Sequence, residues 1–149
     1  MSTPTLPSSP PLPPLNLTKY PSISESYIKS VDLTYHILSA GDPSNPLILC
    51  LHGFPELAYS YRKVLGPIAA AGYYVVAYDQ RGYGRTTGWD TRKYSDVDLN
   101  TFRATQFVKD AVVLVQTLGY SEVACVIGND VGAAFAPLCA LIRPDLFKS

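Results

Sequence analysis

Three short runs of unbroken apolar residues frame this chain: Leu47-Ile48-Leu49-Cys50-Leu51, Tyr73 to Tyr78 and Val123 to Ile127. Each ends abruptly in a polar, glycine-bearing segment. Short apolar runs without alternation are the pattern of strands buried on both faces, as in a parallel sheet. Upstream, Leu33, Tyr35 and Ile37 alternate with Thr34, His36 and Leu38 at a period near two, so Ile23 to Ser39 is expected to form two strands. Between the runs the period changes. Ser60 to Ala71 puts Val64, Leu65, Ile68 and Ala69 on one helical face, with Pro67 expected to break or kink it and Gly72 just past its end. Val108, Ala111, Val112, Val115 and Leu118 recur at helical spacing, which predicts a long helix capped by Asn100 or Thr101 and stopped by Gly119. A small-residue helix is expected after the third run, to about Ile142.

The order is two strands, then three strand–helix units. That pattern is α/β: an open, mostly parallel sheet with helices on both faces. Functional groups of such a sheet gather at the carboxyl ends of its strands. His52-Gly53-Phe54-Pro55, Asp79 and Asp130 all lie at such ends.

Length and composition narrow the picture. A chain of 149 residues suggests one domain. Lys plus Arg and Asp plus Glu are 12 each, which gives no argument for a nucleic-acid or membrane partner. No apolar run reaches membrane-spanning length. Cys50, Cys125 and Cys139 lack metal-ligand spacing and lie in apolar runs, so they read as reduced core residues of a cytoplasmic protein without a metal or cofactor. Residues 1–21 hold Pro4, Pro7, Pro10, Pro11, Pro13, Pro14 and Pro21 among Ser and Thr, the composition of a disordered or polyproline-type tail. The folded domain is then expected over 22–149. Gly82-x-Gly84-x-x-x-Gly88 has one residue too many for a dinucleotide loop and opens no helix.

The candidate chemistry sits in Gly128-Asn129-Asp130-Val131-Gly132, between a strand and a helix. This is the layout of a nucleophile elbow, with Asp130 where Ser is usual. A turn this sharp leaves no room for a Cβ two residues either side of the apex, and Gly128 and Gly132 supply that room. The helix behind the apex points free N–H groups at the Asp130 carboxylate and favours its ionised form.

Three motifs in this order, His52-Gly53-Phe54-Pro55-Glu56, Asp79-Gln80-Arg81-Gly82-Tyr83-Gly84 and Gly128-Asn129-Asp130-Val131-Gly132, resemble the N-terminal half of an α/β-hydrolase. The resemblance is closest to the epoxide hydrolase group, whose nucleophile is Asp, and covers roughly Ser22 to Ser149. It implies that Asp130 is the nucleophile and that the backbone N–H groups of Phe54 and Val131 form the oxyanion hole. It implies supporting roles for Gly128, Gly132, His52, Gly53 and Pro55, a cis Phe54-Pro55 bond, and a small apolar epoxide as substrate. Asp79 and Arg81 are expected to tie down the loop after their strand. A carboxylate nucleophile displaces at an sp³ carbon to give an alkyl ester, which suits epoxides or alkyl halides better than carboxylic esters. A haloalkane or haloacid dehalogenase therefore stays open. Trp or Arg, common after the nucleophile in dehalogenases, is Val131 here, and Asn129 replaces the usual His before it.

The family continues with a lid, further strands, a charge-relay acid and a catalytic His; none has a counterpart in this sequence, and His36 and His52 both precede the elbow. Hence two further expectations. The sheet should run 1-2-4-3-5, leaving Val123 to Ile127 as a bare apolar edge, and the chain alone should not turn over epoxides. A non-catalytic fragment or interaction module is the reading from a different class.

Overall fold

The computed structural model describes residues 12–149. The expectation of a disordered tail falls, for residues 1–11, outside the described residues. Five strands, β1 (Ser24–Lys29), β2 (Thr34–Ala40), β3 (Leu47–Leu51), β4 (Tyr74–Tyr78) and β5 (Cys125–Gly128), form one sheet in the order β1-β2-β4-β3-β5. β1 and β2 pair antiparallel, as do β2 and β4; β3 runs parallel to both β4 and β5. The helices are α1 (Leu65–Ala70), α2 (Ala104–Thr117) and α3 (Val131–Ile142).

The unbroken apolar runs are explained by what each face meets. Leu47, Leu49 and Leu51 of β3 join Tyr74, Val76 and Tyr78 of β4 in a core with Val108, Ala111 and Val115 of α2 and Cys139 of α3. Their neighbours Ile48, Cys50, Val75 and Ala77 point the other way, into a second core with Ala58, Tyr61 and Leu65. Period two with both faces covered gives no alternation in the sequence. α1 therefore packs on one face and α2 and α3 on the other. The chain leaves β3 for β4 on one side and later returns to β5 on the other, so the carboxyl end of β3 is the point where strand order reverses, the place where such sheets open a crevice.

Several local expectations are corrected. Ser60 to Ala71 is not one helix: a 3-10 turn over Ala58–Lys63 precedes α1. Pro67 is the third residue of α1, where its missing N–H has no helical partner to lose, and it breaks nothing. The long helix starts at Ala104. Before it, Asp98 accepts the Asn100 N–H at 2.9 Å and caps a separate 3-10 turn, Leu99–Phe102, and Arg103 is extended. β5 starts at Cys125, later than expected, and Val123 instead bridges to Phe147. Its outer edge is partly covered: Lys148 N–H donates to the Val123 carbonyl at 3.0 Å and Val126 N–H to the Ser149 carbonyl at 2.8 Å. All three cysteines are free and Cys50 and Cys139 are buried, but Cys125 is only half-buried, as expected of a residue on the last strand of the sheet. Within the Pro-rich stretch, residues 12–21 depart from the expected tail. Leu15, Leu17 and Tyr20 are apolar enough to pack on the second core, and the Leu15 N–H donates to Glu25 Oε2 at 3.0 Å.

Candidate active site

The turn between β5 and α3 holds Asp130 at φ 53°, ψ −118°, the one non-glycine residue at positive φ among the described residues. That conformation costs an L-residue free energy and survives only where the surroundings impose it. The surroundings here are close. A Cβ on Gly128 would lie 2.2 Å from the Gly132 carbonyl oxygen, and one on Gly132 would lie 2.1 Å from the Leu51 carbonyl oxygen. Strand, turn and helix are pressed together until only hydrogen fits between them. Asn129 N–H donates to the Leu51 carbonyl at 3.1 Å and locks the turn to β3. At the apex Asp130 is exposed.

The segment after β3 faces it. Gly53 is so near that a Cβ there would stand 2.6 Å from the Asp130 Cβ. The Phe54-Pro55 peptide is cis. Phe54 N–H donates to Asp130 Oδ1 at 2.9 Å. This N–H and then that of Val131, the first residue of α3, hold the Asp130 carboxyl below the usual carboxylate range. Of the two backbone N–H groups expected beside Asp130, that of Phe54 makes a hydrogen bond to its carboxylate.

His52 is buried and both ring nitrogens are committed. Nδ1 lies 2.8 Å from the Gly53 carbonyl oxygen, which only accepts, so Nδ1 carries the proton. Nε2 accepts the Gln80 N–H at 3.0 Å, and the Gln80 side-chain amide donates to the His52 carbonyl at 2.7 Å. Burial lowers the His52 pKa, which keeps the ring neutral. His52 thus braces the start of the loop and has no free nitrogen to act as a base. Asp79 braces its end: Oδ1 accepts the Ala58 N–H at 2.9 Å and Oδ2 the Arg85 N–H at 2.9 Å. Arg81 turns away and grips Asp110 of α2 through two bonds of 2.8 Å. Both residues anchor the loop after β4 and neither touches Asp130 through a hydrogen bond.

Two features were not read from the sequence. Asn129 Nδ2 donates to Glu56 Oε2 at 3.0 Å, tying the Asp130 turn to the facing loop. His36 sits between Asp79 Oδ2 at 2.8 Å and Glu25 Oε1 at 2.9 Å. A lone histidine in a strand names no partner until the pairing register is known. Among the described residues, no group of three His, Cys, Asp or Glu side chains is placed to hold a metal ion.

Comparison with known proteins agrees with this architecture. Residues 46–149 match the family model described as alpha/beta hydrolase fold, and the chain belongs to that family. Among similar proteins, epoxide hydrolase B of Mycobacterium tuberculosis is 41% identical over 107 residues, covering 72% of this chain and 28% of that protein. Epoxide hydrolase 4 of Homo sapiens is 37% identical over 120 residues, covering 80% and 30%. The crystal structure of an epoxide hydrolase from Vigna radiata superposes with a TM-score of 0.75 at 30% identity, covering 87% of this chain and 39% of that one. The chain spans between 28% and 40% of the length of the curated relatives it matches.

Proposed function

We propose that this chain carries the nucleophile and oxyanion-binding part of an epoxide hydrolase active site, with Asp130 at a nucleophile elbow. The observation that supports this best is the 2.9 Å bond from Phe54 N–H to Asp130 Oδ1. It occupies one carboxylate oxygen and leaves the other to attack. In the first step that oxygen bonds to an epoxide carbon, the ring C–O bond breaks, and the released oxygen takes up a proton. In the second, water adds to the Asp130 carbonyl carbon. The negative charge then gathers on Oδ1, where the Phe54 N–H already donates, with the Val131 N–H at the start of α3 as the second donor of the proposed oxyanion hole. Collapse releases the diol and restores the carboxylate with one oxygen from water.

Relatives at 37–41% identity named as epoxide hydrolases support the epoxide over the alkyl halide. The Val131 side chain offers no donor to a departing halide. The two histidines of the chain are both engaged at both ring nitrogens, so neither supplies the base for the second step.

The test is mass spectrometry of the purified chain after incubation with styrene oxide. The expected result is one adduct per chain, mapped to Asp130, persisting at neutral pH and missing in Asp130→Ala. An unlabelled Asp130, or labelling that Asp130→Ala leaves intact, would overturn the reading. A parallel incubation with 1-bromobutane is expected to label more slowly; faster labelling there would favour the dehalogenase alternative.

A further inference from the structure

Asp79 is one link in a longer chain of hydrogen bonds. Its Oδ2 meets His36 Nδ1 at 2.8 Å, His36 Nε2 meets Glu25 Oε1 at 2.9 Å, and Glu25 Oε2 accepts the Leu15 N–H at 3.0 Å. The His36 and Asp79 side chains are each 2% exposed and that of Glu25 15%. Strand register explains the meeting. Tyr27 stands opposite His36 and Glu25 opposite Leu38, so Glu25 and His36 are diagonal neighbours on one face of the β1–β2 pair. From His36 the chain passes to Asp79 at the end of β4. The other oxygen of Asp79 accepts the N–H of Ala58, which closes the loop bearing Phe54.

The reaction described for Asp130 uses none of these groups directly, yet burying a carboxylate and an imidazole, with a second carboxylate half-buried beside them, is costly unless each is satisfied. The cost points to a task. Burial alone would push the Asp79 carboxyl up; the bonds from His36, Arg85 and Ala58 outweigh it and hold Asp79 ionised. An ionised Asp79 keeps a strong acceptor beneath Ala58. The rest of the loop is held differently, at its start by His52 against Gln80 and at its rim by Glu56 against Asn129.

We propose that Glu25 and His36 are positioning residues for the active site: by orienting Asp79 they fix the Ala58 end of the loop, and with it the reach of the Phe54 N–H to Asp130. The proposal rests on the reading of Asp130 as the reacting carboxylate. It acts across two strands, from a residue of β1 to a backbone donor on the sheet's carboxyl rim.

Glu25→Gln and His36→Phe test it, followed by amide hydrogen exchange and by the ¹³C titration of the Asp130 carboxyl. In both variants the Phe54 amide is expected to exchange about three to ten times faster, the scale of one hydrogen bond lost from a local network, while Leu49 and Val76 in the central strands keep their rates. The Asp130 midpoint is expected to rise toward the ordinary carboxylate value as its Phe54 donor loosens. Unchanged Phe54 exchange and an unchanged Asp130 midpoint would overturn the proposal. So would a Phe54 acceleration matched at Leu49 and Val76, which reports global destabilisation only. Should His36→Phe fail to fold, Glu25→Gln decides alone by the same criteria. Absence of a styrene oxide adduct on wild-type Asp130 would instead sink the reaction reading, and neither the exchange nor the titration depends on it.

Discussion

Asp79 and Asp130 occupy equivalent places, each just past the carboxyl end of a parallel strand, and they have opposite fates. Asp79 is 1% exposed, and its carboxylate accepts from the Ala58 N–H, the Arg85 N–H and His36. Asp130 is exposed, sits at positive φ, and its carboxylate accepts a hydrogen bond from the Phe54 N–H. One carboxylate is saturated and relaxed, the other under-satisfied and strained. Place in the fold selects both residues, but the count of fixed donors decides which one holds a loop and which one remains free to react.

The largest effect separates them by stability. Asp79→Ala strands the Ala58 and Arg85 backbone donors and a buried imidazole, and is expected to cost about 3–5 kcal/mol, the range for removing one partner from a buried charged network. Asp130→Gly removes the carboxylate proposed to react but suits the positive φ, and is expected to raise the melting midpoint by a few degrees while abolishing the epoxide adduct. Thermal melts of the two variants beside wild type check both. An Asp79→Ala midpoint equal to wild type, or an Asp130→Gly midpoint well below it, would erase the distinction.

Much of this was legible in the sequence, for physical reasons that also mark where reading stops. The buried strands β3 and β4 announce themselves because both faces are covered, and the Gly128–Gly132 pair because contacts near 2 Å leave no other choice. The start of α2 was misplaced because Asn100 and Thr101 are good caps, while the cap in use is Asp98, on a 3-10 turn that propensity does not separate from a helix. Pro67 reads in the sequence as breaking or kinking the helix, because the pattern alone does not show that it falls in the first turn. The roles of Glu25 and His36 stayed hidden because they depend on a cross-strand diagonal and on a third residue more than 40 positions further on, at Asp79. Asn129 was noticed only as a departure from the usual His; its bond to Glu56 needs two loops brought together by β3 and β5.

Acid sharpens the comparison at intermediate size. The Asp79 carboxyl is depressed in the folded protein, because its hydrogen bonds outweigh the opposing effect of burial. Its contribution is therefore fully present above the unfolded carboxylate pKa of about 3.9 and is lost as pH falls through the lower folded value. The melting midpoint of wild type should drop below about pH 4. In Asp79→Asn that drop is expected to flatten, since a group that cannot titrate contributes no slope. Asp130 is also depressed, by the Phe54 N–H first, but it is exposed and screened by solvent, so Asp130→Asn should flatten the slope less than Asp79→Asn does. Melts from pH 7 to pH 2 on the three proteins decide the matter; equal slopes in all would mean that Asp79 is not what acid unfolds.

The smallest effect tests whether the rim bond between the two loops belongs with the rigid Asp79 side or the open Asp130 side. Asn129 Nδ2 reaches Glu56 Oε2 at 3.0 Å, and both ends are solvent-accessible. Exposed bonds of this kind exchange easily with water, so Asn129→Ala should cost no more than about 1 kcal/mol. Asp130 should feel it little, because Phe54 is held from the His52 and Ala58 ends and Asn129 is locked to β3 through its backbone N–H at 3.1 Å. Labelling of Asp130 by styrene oxide is expected to stay within about threefold of wild type, a difference smaller than one typical hydrogen bond. A tenfold loss of labelling with the melt unchanged would show that the Glu56–Asn129 bond, and not the buried network under Ala58, sets the distance between Phe54 and Asp130.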